Sequence, residues 1–487
     1  MNTETSATTA ETETSPPALE PRVPNFWRLL GVLAVGVVLW LLPPPAGLEL
    51  QAWRLLAIFV ATVAGIITRP LPMGAIAMIG LTVTLLTGTL ETNQVLAGFG
   101  NSTVWLVVCA FLLAGAFIRT GLGPRIAYLF MSVLGHRALG LSYSLAATDL
   151  VLAPFIPSHT ARSGGAIFPI LQSIARSFGP DGNAEAKRTA GFLTMATYQT
   201  SISTSAMFLT SMAGNPLAAE FAGQQGISIT WGSWLAAAFL PGLVSLILVP
   251  LVIHAIYPPA IRHTPQARAA AREKLSSLGP LRREERILLV TFAALVVTWA
   301  FSGALGIDNT AAAFGALAVL LLTRVLLWEQ VAREHEAWTT FVWFAVLVMM
   351  ASELARLGVP KWFAAIVGAA VGDVHWAVGF LGISLAYFYS HYLFASNTAH
   401  ISAMYAAFLA IALTLGTPPL FAAFTLAFFS NLFAGLTHYS AATAPIFFAS
   451  GYVSAATWWK TGLLVSLVNI PLWLLLGGLW WKVLGLW

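Results

Sequence analysis

Pro157-Ser158-His159-Thr160-Ala161-Arg162 and Ala395-Ser396-Asn397-Thr398-Ala399-His400 decide how this chain is read. Each sets hydroxyl, amide or imidazole groups on consecutive residues in the middle of long apolar sequence. In hydrocarbon an unsatisfied polar group costs several kcal/mol, so these groups must line a cavity or meet other protein. Two such breaks in matching positions of two halves point to one shared binding site.

Working outward, the surrounding sequence supplies the hydrocarbon. Of 487 residues, 58% are hydrophobic and 9% charged, with a mean hydropathy of +0.80, against about 25% charged in ordinary soluble proteins. Apolar runs able to cross a ~30 Å bilayer core recur from Phe26 onward. The fold class expected is therefore an all-α polytopic membrane protein embedded in the lipid bilayer. The net charge of +5 gathers in a few loops, which gives no reason to expect nucleic acid as a partner. The single cysteine, Cys109, lies in an apolar run, which excludes an intrachain disulfide and any multi-cysteine metal site. Residues 1–24, rich in Thr, Glu, Ser and Pro, read as a disordered cytoplasmic tail with neither signal-peptide nor transit-peptide character. A bacterial inner (cytoplasmic) membrane with the N terminus inside is the expected location.

A first transmembrane helix is expected within residues 25–48, stopped by Pro43-Pro44-Pro45. Residues 49–257 form a first repeat, with a hairpin at about 139–178 and a broken helix at about 190–219. Arg125 and Arg137 precede the hairpin and Arg176, Lys187 and Arg188 follow it, so both ends read as cytoplasmic. That makes the hairpin re-entrant; two ordinary crossings would put Arg162 outside. Residues 258–286, with Arg262, Arg268, Arg272, Lys274, Arg282, Arg283 and Arg286, form a basic cytoplasmic linker whose charge is expected to face anionic headgroups. A second repeat, 287–487, replays the first, with a hairpin at about 376–413 and a broken helix at about 420–448.

The replay is visible in residues as well as in hydropathy. Thr103-Val104-Trp105 matches Phe341-Val342-Trp343, Arg119-Thr120-Gly121-Leu122-Gly123 matches Arg356-Leu357-Gly358-Val359-Pro360, and Ser158-His159-Thr160-Ala161 matches Ser396-Asn397-Thr398-Ala399. Each pair is offset by roughly the same 237 or 238 residues. Five crossings and one hairpin per repeat reverse the second copy, giving about 11 transmembrane helices in two inverted repeats. The sparse positive charge around the second hairpin agrees with that reversal.

Inverted symmetry brings the two tips together near the membrane midplane. Each tip starts a half-helix whose free N–H groups and positive dipole end favour an anion, and the Ser and Thr hydroxyls add donors. Two such sites suit a molecule with two carboxylates, whereas a single Ser-X-Thr could equally be a helix cap. The substrate-binding set expected is Ser158, His159, Thr160, Ser396, Asn397 and Thr398, with Ser201, Ser205, Thr437, His438, Thr443 and Pro445 from the broken helices. Asp149, His391 and His400 are further ionisable residues inside the hairpin arms, open to either a functional or a packing role. No catalytic set such as His-Glu-x-x-His or paired acids is present, so no enzyme is expected. A channel would not need two matched re-entrant tips.

Pro157-Ser158-His159-Thr160-Ala161-Arg162-Ser163-Gly164-Gly165, Ser396-Asn397-Thr398-Ala399, Leu436-Thr437-His438-Tyr439, Ala444-Pro445-Ile446 and Ser450-Gly451-Tyr452 together resemble the divalent anion/sodium symporter family. Within it the chain is most similar to the citrate/succinate, tartrate/succinate and 2-oxoglutarate/malate translocators, from about Trp27 to the C terminus. The resemblance implies a homodimer with separate scaffold and transport domains, an elevator-type movement, and a di- or tricarboxylate substrate held by the two tips. In sodium-coupled members Na⁺ sits beside the tips; no other cofactor or metal is implied. Here His159 stands where the family usually has Asn, Pro154 offers no side-chain oxygen one turn earlier, and Tyr392 stands at the equivalent position of the second half. Imidazole prefers softer metals than Na⁺, and it repels cations when protonated. The expectation is therefore a sodium-independent exchanger of dicarboxylates, with Asn397 and Thr398 as a residual cation site. A sodium- or proton-coupled symporter, or a transporter of inorganic anions such as sulfate, stands as the alternative.

Overall fold

The computed structural model describes residues 25–179, 183–371 and 375–487; the expected N-terminal tail lies outside them. All regular structure among these residues is helical. The first helix, Phe26–Leu41, starts where the Asn25 side chain accepts from the Arg28 N–H and stops before the three prolines. Ser102–Thr120 shows the same logic more fully: Asn101 accepts from the Val104 N–H at 3.1 Å, and Gly121 ends the helix at φ 77°. That positive φ suits glycine, which has no Cβ to clash.

The helices sort into two bodies. One contains Leu50–Thr68, Met73–Leu86, Ser102–Thr120, Arg283–Ala300, Asn309–Leu322 and His335–Arg356, packed on one another. Its middle is the pair Ser102–Thr120 and His335–Arg356, largely apolar helices most of whose residues are buried. Gly98, just before the first of these, fits so closely that an added Cβ would fall 2.0 Å from the Ala345 carbonyl oxygen. The other body contains the two hairpins, the two broken helices, Trp231–Ile256 and Ala455–Pro471 with its continuation to Val483.

Each hairpin is one arm, a tip at which the regular helix is interrupted, and a returning arm with a wide-turned π-helical stretch in its first turns. The first runs Ala138–Leu152, then the tip, then Thr160–Ile167 and Phe168–Arg176. The second runs Trp376–Tyr389, the tip, then Asn397–His400, Ile401–Tyr405 and Ala406–Thr414. π-Helical turns are rare and frequent at functional sites; here one stands behind each tip, and another lies at Leu472–Leu476.

The first broken helix is Ala184–Met207, interrupted from Phe208 to Ala213 and resumed as Gly214–Gly223. It is polar by sequence yet buried nearly end to end, because hydroxyls such as those of Thr194 and Thr200 donate to carbonyls four residues back at 2.8 Å. At the break, the Asn215 amide donates to the carbonyls of Ser205 at 2.8 Å and Phe208 at 2.9 Å, replacing the lost helical bonds. The second broken helix is Pro419–Leu432, resumed as Ala444–Phe448.

Two features differ from the sequence-based expectations. Short helices Leu122–Leu134 and Val359–Val371 lead into the two hairpins, where no element was anticipated. The second is a contact: the helix Pro265–Ser277 of the basic linker docks on Leu122–Leu134, with Arg268 Nε donating to the Ser132 carbonyl at 2.9 Å, while most of the linker's basic residues stay exposed. Arg125 closes the contact from below, reaching Glu285 at 3.0 Å and the Gly279 carbonyl at 2.7 Å, and Arg282 donates to the Thr120 carbonyl.

Candidate functional site

Ser158 and Ser396 lie on one cavity. It measures about 140 Å³ and is lined by Pro157, Ser158, His159 and Thr160 of the first tip and Ser396, Asn397 and Thr398 of the second. Met212 and Ala213 from the first break, Ala441, Ala442 and Thr443 from the second, and Phe111 from the other body complete the wall. Its size is below the ~300–1,000 Å³ of drug-sized pockets, so it admits only a small solute. No Lys or Arg is among the lining residues. Another cavity, of about 340 Å³ between Trp40, Ile58 and Ile76, is almost wholly apolar and sits among exposed side chains such as Leu33 and Val37.

The two serines cap their helices and remain available. Ser158 Oγ accepts from the Ala161 N–H at 3.1 Å, and Ser396 Oγ accepts from the Ala399 N–H at 3.3 Å. A hydroxyl has one donor as well as two acceptor positions, and among the described residues neither proton has a protein acceptor. Both side chains are part-exposed toward the cavity, so capping and ligand binding are compatible here.

The tips are tied to the breaks. Thr160 Oγ1 lies 3.2 Å from Thr443 Oγ1, joining the first tip to the second broken helix. The Asn397 amide donates to the Ser430 carbonyl at 3.2 Å. The broken helices meet each other through Tyr198 Oη to the Ala434 carbonyl at 2.8 Å, Gln199 Nε2 to the Gly435 carbonyl at 2.9 Å, and Asn431 Nδ2 to Asn215 Oδ1 at 2.8 Å.

The remaining expected site residues lie behind the cavity or away from it. Ser201 stands behind His159, whose Nε2 is 2.7 Å from its hydroxyl. Ser205 receives Arg162 Nη2 at 2.6 Å. Thr437 is buried at the second break with its hydroxyl unpartnered. His438 turns outward and accepts from Trp459 Nε1 at 3.0 Å, while Pro445 is exposed; neither lines the cavity. Phe111, which does line it, stands in apolar sequence with nothing to mark it out, and Met212 is an apolar residue of the first break.

Arg162 is not free. It is fully buried and donates from Nε to Asp149 Oδ1 at 3.0 Å, from Nη1 to the carbonyls of Ile156 and Ser211 at 3.0 and 2.7 Å, and from Nη2 to Ser205. Asp149 also accepts from Ser163 at 3.0 Å and from Thr204. One ion pair thus joins both arms of the first hairpin, its tip and the first broken helix.

The cation question can be put to the same geometry. At the first tip the imidazole is engaged with Ser201 and brings no oxygen, which leaves the hydroxyls of Ser158 and Thr160 as the side-chain oxygens on the cavity. At the second tip Asn397 Oδ1 is buried without a partner. A hard cation takes several oxygens; His159 supplies none at the first tip, while the second tip offers the orphaned Asn397 oxygen. Among the described residues no group of His, Cys, Asp and Glu is arranged to hold another metal.

A chain of apolar helices with two polar hairpin tips meeting over a small internal cavity has the build of a multi-pass membrane carrier. Residues 23–487 match the model of the sodium:sulfate symporter transmembrane region, and the chain belongs to that family, the divalent anion/sodium symporters. It is 51% identical over 461 residues to a Bacillus subtilis (strain 168) protein named "Putative malate transporter YflS", covering 94% of this chain and 96% of that one. It is 46% identical over 463 residues to "Dicarboxylate transporter 1, chloroplastic" of Spinacia oleracea, covering 94% and 81%. The crystal structure of the Alcanivorax borkumensis YdaH transporter superposes with a TM-score of 0.54 at 14% identity, covering 94% of this chain and 98% of that one, which establishes likeness of fold.

Proposed function

We infer that this protein carries di- or tricarboxylates across the bacterial inner membrane as a sodium-independent exchanger. The observation that carries the reading is the shared cavity: two capped serines with unspent hydroxyl protons, on two helix starts that face one another, with no cationic side chain between. Each tip holds one carboxylate through its serine hydroxyl and the first N–H groups of the returning arm, where the helix dipole favours negative charge. The names of the malate and dicarboxylate relatives support the substrate class.

Topologically, the reading is eleven crossings in two inverted repeats, with the N terminus and basic linker cytoplasmic and two copies forming a homodimer. The hairpins and broken helices move as one body against the other in an elevator-type step. The polar contacts between the bodies are few, which supports that division: Glu220 accepts from Asn101 at 3.3 Å and Thr103 at 3.0 Å, and Gln224 meets Ser352 at 3.1 Å.

Exchange follows from desolvation. An empty cavity would carry unpaired hydroxyl protons and dipole ends past an apolar wall that includes Phe111. A bound dicarboxylate satisfies them, so the loaded body moves and the empty one does not. A sodium-coupled symporter is favoured by one observation only, the orphaned Asn397 Oδ1. Proteoliposomes distinguish the two. Uptake of labelled malate should require an internal dicarboxylate and be unchanged when Na⁺ is replaced by K⁺; uptake into empty vesicles driven by a sodium gradient would overturn the exchanger. His159→Asn restores the amide oxygen at the first tip and is the variant in which a sodium response should first appear.

A further inference from the structure

The two hairpins are held to their broken helices at equivalent places by different chemistry. Ser211 and Ser440 occupy the same position in the two breaks: each hydroxyl meets the carbonyl three residues back, at 2.7 and 2.8 Å, and also the carbonyl six residues back. Each serine's own carbonyl then receives one donor from its hairpin. For Ser211 that donor is Arg162 Nη1 at 2.7 Å, and for Ser440 it is His391 Nε2 at 2.8 Å. The residue in register with Arg162 in the second hairpin is His400, four positions after Ser396 as Arg162 is after Ser158. In register with Asp149 is Tyr387, which reaches Ser430 Oγ at 2.7 Å.

An imidazole is shorter than an arginine side chain, so His400 does not reach the Ser440 carbonyl itself. His391 closes the gap, with its Nδ1 3.0 Å from His400 Nδ1. The proton positions follow by elimination. A carbonyl only accepts, so His391 Nε2 carries a proton; a neutral imidazole carries one, so His391 Nδ1 accepts. His400 Nδ1 must then be the donor, which leaves His400 Nε2 without a proton, 3.2 Å from Ser390 Oγ, a hydroxyl that also meets the Tyr387 carbonyl at 2.8 Å. Both rings are buried and stacked with Phe394 and Phe433, and among the described residues neither meets a carboxylate.

We propose that His391 and His400 are the positioning residues of the second tip, a neutral relay of fixed tautomers that replaces the Arg162–Asp149 ion pair of the first. Neither ring lines the cavity; they act by fixing where Ser396 and Asn397 start their helix against the second break.

The test uses the full chain in nanodiscs, labelled with ¹⁵N-histidine. The spectrum at neutral pH should contain a neutral Nδ1–H tautomer that disappears in His400→Gln. Its absence, or an imidazolium signature lost in the same variant, overturns the relay. A functional arm rests on the carrier reading given above. His391→Phe keeps the stack on Phe433 but removes the donor to Ser440, and should raise KM for malate exchange roughly tenfold with maximal rate within a factor of three or so. His391→Gln, which retains an N–H, should recover much of that loss. An unchanged KM in His391→Phe overturns the positioning role. Should that variant fail to purify as a single species, the wild-type spectrum still decides. If wild-type protein shows no malate exchange, the substrate assignment fails, while the tautomer result stands or falls separately.

Discussion

Removing the Asp149–Arg162 ion pair whole should cost this protein less than the sum of removing its two members one at a time. Asp149 and Arg162 have 1% and 0% of their surfaces exposed, so Asp149→Asn leaves a guanidinium charge in the interior with no carboxylate. Removing one partner of a buried pair costs about 3–5 kcal/mol. Arg162→Met does comparable harm by stranding the carboxylate. The two single changes therefore sum to about 6–10 kcal/mol. In the double variant Asp149→Leu/Arg162→Met no charge remains, and the chief loss is two stranded carbonyls, those of Ile156 and Ser211. At about 1–3 kcal/mol each, that amounts to roughly 2–6 kcal/mol. The shortfall of about 4 kcal/mol is the coupling between the two residues, large compared with the additivity error of distant sites. Unfolding of the wild type, both singles and the double in mixed detergent micelles measures it. Additive singles, or an Asp149→Asn protein within about 1 kcal/mol of wild type, would show that the pair does not hold the hairpin.

Two other outcomes follow from the geometry. Ser158→Ala and Ser396→Ala each remove a hydroxyl donor to a carboxylate, about 1.5–3 kcal/mol, so each should weaken dicarboxylate binding by ~10- to 100-fold in isothermal titration while a monocarboxylate loses affinity in only one of them. Gly435→Ala puts a Cβ 2.4 Å from Gln199 Oε1 and should destabilise by about 1–3 kcal/mol in the same unfolding assay, whereas Gly315→Ala, with open space around it, should be neutral or slightly stabilising.

The tips were legible because polar residues in hydrocarbon have few permitted fates, and a constant offset of 238 residues, from Ser158 to Ser396, exposes their duplication. The breaks were legible for the same reason: Ser205 to Pro216 and Leu436 to Pro445 interrupt apolar runs with hydroxyls, glycine and proline. What was not legible depends on contacts between distant segments. Arg162 looked like a stray charge at a turn until the fold brought Asp149 and the Ser211 carbonyl to it. His438 carried the same polar signal as the cavity residues, yet its ring is spent on Trp459. Phe111 is one apolar residue among many in Ser102–Thr120, and only the approach of the two bodies makes it a wall of the cavity. The helix Leu122–Leu134 was hidden because its Gly123-Pro124-Arg125 start resembles a loop and its one charge, Arg125, is consumed by the linker.

A cryo-EM structure with malate bound tests the central claim most directly. The account predicts density in the cavity between the tips, with one carboxylate at Ser158 and the other at Ser396, and no ion at His159. Malate held by one tip alone, or bound outside the space that Ser158 and Ser396 share, would contradict it.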